Sequence, residues 1–215
     1  MRRQTALLSR LEPEPAIGPR LRRLSAFPAG DEPADVSGAV AAWIRAYLMR
    51  PHADLGRPGA VCPYTPLAAK TDLALIGVSQ ADDQDEIHSI MREAVRAFDA
   101  MPCPPAQKAF RCVLVAFPSC DSEQGRRTLK AVQNRLRPES TRRAKMIGLF
   151  EPHSQDPGLL NPQFRPLRAP VPLLAIRSLV AGDAPFVLRN PRLAPIYLWR
   201  FPALGSLKLA RLLWG

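Results

Sequence analysis

The chain is poor in the residues from which metal centres and disulfides are built. Its 215 residues hold four cysteines and three histidines. Cys62, Cys103, Cys112 and Cys120 form no Cys-x-x-Cys pair, which argues against a zinc ribbon or a thioredoxin-type motif. His52, His88 and His153 share no ligand spacing, so a zinc or non-haem iron site made from protein alone lacks its usual donors. There is no Gly-rich nucleotide loop, no nucleophile elbow and no internal repeat. Long hydrophobic runs are missing too. None approaches the roughly 18 apolar residues needed to cross a bilayer. Ala6-Leu7-Leu8, behind Arg2 and Arg3, is too short for a signal-peptide core. Free thiols without a leader fit a reducing cytoplasm.

Proline and positive charge are plentiful. The 24 prolines cannot sit inside helices or central strands, so they imply long ordered loops, the segments on which sites tend to be built. The formal charge is +11, carried almost wholly by arginine in the N-terminus, Arg126 to Lys145 and Arg165 to Arg211. Such a surface attracts phosphates and carboxylates in general. No aromatic-basic RNA motif or helix-turn-helix pattern accompanies it, so nucleic acid is not the expected partner. A hydrophobic share of 47% in a chain of this length supports one globular core.

Residues 1 to 35 lack periodicity and read as a flexible, Arg/Pro-rich lead-in to a single domain over 36–215. The patterning predicts helices over Ser37–Arg50, Asp83–Met101, Ser122–Arg137, Asn190–Arg200 and Gly205–Trp214. It predicts strands over Asp72–Val78, Phe110–Phe117, Lys145–Phe150 and Leu173–Val180. Strands alternating with helices imply a layered α/β domain, a mixed sheet flanked by helices and joined by long Pro-rich loops. Sheet order and oligomeric state, a homodimer being one option, stay open.

Glu151–Pro172 is the most unusual text. His153 follows a strand and opens the loop, a position from which an imidazole can ligate iron or move a proton; alternatively it sits on the surface. Arg165 and Arg168, spaced by Pro166, suit a carboxylate pair, or else ion-pair with the Asp83–Asp99 helix. Arg177, inside an apolar strand, needs a partner: a ligand or the 150–170 loop. Cys62-Pro63-Tyr64 offers a thiol and a phenol to a ligand. Cys112 reads as a small buried hydrophobe.

The run GRPGAVCPYTPLA, followed later by GLFEPH and then NPQFRPLRAPVPLLAIRSLV, resembles an uncharacterised bacterial and fungal domain family found beside biosynthetic genes. Over roughly residues 50 to 190 it is also similar to the YqcI/YcgG family, some members of which are haem-dependent N-hydroxylases. That resemblance implies a haem oxygenase acting on an amino-acid-like or other small molecule. His153 would be the axial iron ligand, Arg165 and Arg168 would hold propionates or substrate, and Cys62 and Tyr64 would line the pocket. The YqcI/YcgG pattern sets proline just after its histidine, whereas here Pro152 precedes His153. The rival reading is a cofactor-free protein that binds a small molecule or serves a pathway as an accessory.

Overall fold

A computed structural model describes residues 20–30 and 32–202. Five strands form one open mixed sheet in the order β1-β2-β3-β5-β4. They are β1 Arg22–Arg23, β2 Ala74–Val78, β3 Cys112–Ala116, β4 Lys145–Phe150 and β5 Leu173–Ser178. β2 and β3 run parallel, and every other pairing is antiparallel. The expected α/β class and mixed sheet flanked by helices are therefore present.

Helices cover both faces. On one lie α3 (Gln84–Ala100) and α4 (Glu123–Arg142), whose stripes Ile87, Met91, Phe98 and Leu129, Val132, Leu136 pack on Val113, Val115 and Ile176. The other face carries α1 (Val36–Trp43), continued by a π-helical turn over Ile44–Leu48, and the short α2 (Thr65–Lys70). Two more short helices, α5 (Ala184–Val187) and α6 (Ala194–Arg200), form a separate cluster around the fully buried Tyr197.

Several boundaries differ from expectation. The lead-in extending to residue 35 is wrong at its C-terminal end: Arg22 and Arg23 pair with Ile76 and Leu75, and Leu24 and Phe27 are buried in the core. Helix α4 runs through Pro138 to Arg142. The 190–200 helix begins only at Ala194, because Asn190 turns the chain first by accepting from the N–H of Arg192. The helix expected over Gly205–Trp214 lies outside the described residues. The Glu151–Pro172 segment does run without helix or strand.

Helix α3 starts on a side-chain cap. The Asp83 carboxylate accepts from the N–H groups of Asp85 (2.9 Å) and Glu86 (3.0 Å), and these bonds hold its carboxyl below the ordinary value. A carboxyl with a depressed folded-state pKa stabilises the fold above the ordinary carboxylate range and stops doing so as pH falls through the depressed value. Asp83→Ala should therefore lower the melting temperature at neutral pH, and the deficit should shrink on acidification. A deficit independent of pH would refute the capping account.

Candidate functional site

The strand register builds a hollow on the α1 face. Pairing aligns Ala74, Cys112, Arg177 and Met146 in one row across the sheet, and Ile76, Leu114, Ala175 and Gly148 in the next. Ala74, Cys112, Ala175 and Gly148 are small, so the floor sinks where larger residues would fill it. Above it stand Ile44 and Leu48 of the π turn, with Cys62 and Thr65 beside them. The result is a cavity of about 340 Å³ that reaches the open edge strand β4. That is the size of a small organic ligand. The π turn closes with the Met49 N–H bonded to the Ile44 carbonyl at 3.0 Å. Such widened turns recur at functional sites because they re-aim the residues they carry.

Next to the floor, the Arg177 guanidinium is bound in bidentate fashion by the buried Asp183, one contact being 2.8 Å. Burial pulls the Arg177 pKa down, but Asp183 outweighs it and the net direction is up. Arg177 also lies 5.8 Å from the centroid of the Tyr64 ring. The Tyr64 pKa is raised by burial, with Arg177 pulling the other way. Burial pushes the Cys112 thiol up to about 12 and the Cys120 thiol to about 11, so both stay protonated at neutral pH. Arg177 thus answers to Asp183, and it anchors the 178–183 turn rather than the 150–170 loop.

At the edge of β4 the lining is polar. Lys130, Gln133 and Arg137 belong to α4 on the opposite face of the sheet and border the space around the margin of β4, at positions i, i+3 and i+7 on one helical stripe. The Gln133 Nε2 donates to the Ile147 carbonyl at 2.9 Å, and an Arg137 Nη2 donates to the Phe186 carbonyl at 3.2 Å. Two atoms of this stripe, Gln133 Oε1 and Arg137 Nε, are sealed from solvent without a hydrogen-bond partner among the described residues.

The residues expected to converge do not all meet here. Cys62 lines the cavity, and Tyr64 touches it through Arg177. His153, Arg165 and Arg168 are not part of the lining. His153 is exposed on the outside of its turn. Arg165 turns its guanidinium back onto the carbonyls of Pro162 and Phe164, and the Arg168 Nε donates to the Ser154 carbonyl at 3.2 Å. Neither arginine forms an ion pair with α3. Within this proline-rich loop both arginines donate to carbonyls of the loop itself.

What the segment does supply is a wall. The Trp43 indole donates to the Arg168 carbonyl at 3.1 Å and the Tyr47 hydroxyl to the Arg165 carbonyl at 3.4 Å. The Asn161 amide reaches the Asp54 carbonyl at 2.9 Å, and the His52 and Phe164 rings lie 4.6 Å apart. The two sequence runs, 52–64 and 161–169, are thus neighbours, and Leu167 from the second borders the cavity.

A haem does not fit the residues assigned to it. An axial histidine must face an enclosed space, with its second nitrogen held by a partner. The exposed His153 ring has no such surroundings, and Arg165 is committed to its own loop. Among the described residues no cluster of histidine, cysteine or acidic side chains could hold a metal ion, and no helix is long and apolar enough to cross a membrane.

Sheet order, two helical layers and a cavity at the edge strand define a mixed α/β domain. The chain belongs to the family described as Domain of unknown function (DUF6875), whose model matches residues 37–209. No curated protein and no solved structure matches it significantly.

Proposed function

We propose that the protein binds a small organic molecule in the cavity over Cys112, Ala175 and Gly148. The observation that carries this reading is the recessed floor. A sheet face under a helix is ordinarily packed to crystal-like density, yet here a run of small side chains leaves room for a ligand. The lining is mainly apolar with a few polar side chains among it, the usual composition of a site that buries a small ligand. Four free cysteines suit a reducing compartment such as the cytoplasm.

The amphipathic dye 1-anilinonaphthalene-8-sulfonate tests the idea. It should bind cooperatively folded protein at one site per chain. Ala175→Leu, which fills the centre of the floor, should weaken binding about tenfold or more while cooperative melting is retained. Equal binding by wild type and variant, or none by either, would sink the proposal. The same preparation, supplemented with haem, decides the rival oxygenase reading: an intense absorption band at the blue end of the visible spectrum that His153→Ala abolishes would restore it.

A further inference from the structure

We infer that the cleft between the C-terminal half of α4 and the turn over residues 189–193 is an anion site, and that it takes a phosphate-bearing ligand with at least two negative charges. The inference goes beyond the binding reading above and does not depend on it.

The cleft holds about 470 Å³. Arg137, Arg189 and Arg192 line it, together with apolar wall from Pro138, Pro191 and Leu193, and no acidic residue does. None of the three arginines forms an ion pair among the described residues. Their neighbours are treated differently. Arg126, Arg127, Arg135 and Arg143, on or just beyond the same helix, each meet a carboxylate. The unanswered charge is thus gathered in one concavity.

The frame around it is fixed. Arg137 is half-buried. Its Nη2 is committed to the Phe186 carbonyl and its Nε is sealed from solvent, which leaves Nη1 as the donor within reach of the cleft. Burial pulls the Arg137 pKa down, and no neighbouring acid pulls it back. Arg189 and Arg192 are exposed on a turn built around Asn190. The Asn190 N–H donates to the Val187 carbonyl at 3.1 Å, and its own carbonyl accepts from Leu193 at 3.0 Å and Ala194 at 2.9 Å. Its side-chain oxygen accepts from the Arg192 N–H at 3.0 Å. A backbone held this way loses little freedom when its arginines close on a ligand.

The ligand chemistry follows from the charge. Cations crowded around a concavity repel one another, and an anion between them relieves the repulsion. A lone carboxylate offsets one charge of three. A phosphomonoester or a diphosphate brings two or more, on oxygens that accept from several guanidinium groups at once. Phosphate is the shared chemistry, whether a soluble ester or a lipid head group carries it.

Calorimetric titration at constant ionic strength with pyrophosphate, inorganic phosphate and acetate tests the assignment. One pyrophosphate should bind per chain, about tenfold more tightly than phosphate, and acetate should bind more weakly still. Arg189→Gln and Arg192→Gln change exposed side chains, so melting should hold while each weakens pyrophosphate binding about tenfold. Arg50→Gln/Lys70→Gln removes two exposed charges outside the cleft and should leave binding nearly unchanged. Failure of pyrophosphate to saturate one site, or an equal loss in that control pair, overturns the assignment. Vesicles of phosphatidylcholine with and without phosphatidic acid separate the two sources. Pelleting only with phosphatidic acid, lost in Arg189→Gln/Arg192→Gln, assigns the phosphate to a lipid head group; pyrophosphate binding without pelleting assigns it to a soluble ester. Retention of random DNA that the same double variant loses, with no pyrophosphate uptake, would put a polymer backbone in the cleft and overturn the proposal.

Discussion

Asp183→Ala is expected to destabilise the fold by about 3 kcal/mol, the cost of stripping a partly buried charge of its partner. Asp183 is nearly inaccessible, with 3% of its side chain exposed. It grips Arg177 with both oxygens and also accepts from the Val180 N–H at 2.9 Å. Alanine removes all three bonds at once. The guanidinium that remains reaches solvent over only part of its surface, so water restores little. Urea denaturation measures the loss. The double variant Arg177→Met/Asp183→Ala should recover much of it, because the liability is the unpaired cation rather than the missing pair. A loss below about 1 kcal/mol in the single variant would contradict the assignment of Arg177 as a structural anchor.

Gly125→Ala is expected to lose about 2–3 kcal/mol despite sitting in a helix, where alanine is normally preferred by about 1 kcal/mol. Gly125 lies in the first turn of α4, and its N–H bonds to the Ser122 hydroxyl at 3.0 Å. A Cβ added there would fall 2.4 Å from the Cys120 Cα and 2.7 Å from its carbonyl carbon and oxygen. These are backbone atoms of a turn held by the Cys120 N–H to Phe117 carbonyl bond, so no side chain can swing aside. The clash exceeds the propensity gain, and thermal melting should show the sign. An increase in melting temperature would mean that the 118–120 turn yields freely.

The elements that patterning revealed are those whose own period states their burial. The stripe Ile87, Ile90, Met91, Ala94 and Phe98 and the run of β3 carry that information within a few turns of chain. β1 was invisible because two arginines pair through their backbone, and backbone pairing leaves no mark on side-chain polarity. Pro138 hid the last turn of α4, since a proline in that position ordinarily stops a helix. His153 was correctly placed just beyond a strand, yet the turn at Pro152 sends its ring outward, and one added residue of turn reverses such a direction. Lys130, Gln133 and Arg137 are polar and lie in the basic stretch Arg126 to Lys145, so nothing in their own pattern marks a buried position. Only the strand order, with β4 at the margin, shows that Gln133 abuts a strand and is buried. Strand order depends on long-range pairing that a single sequence does not display.

The amide that Gln133 gives to the Ile147 carbonyl has a consequence for how the molecule behaves in a crowd. A marginal strand with bare backbone groups is a template on which a foreign strand can zip, the usual first step of edge-to-edge aggregation. Here one rung of that template is already occupied from the helix above. An incoming chain would have to evict a buried amide before it could register. Any change that frees this carbonyl should therefore show itself first as self-association on concentration, well before the melting temperature reports a weaker fold.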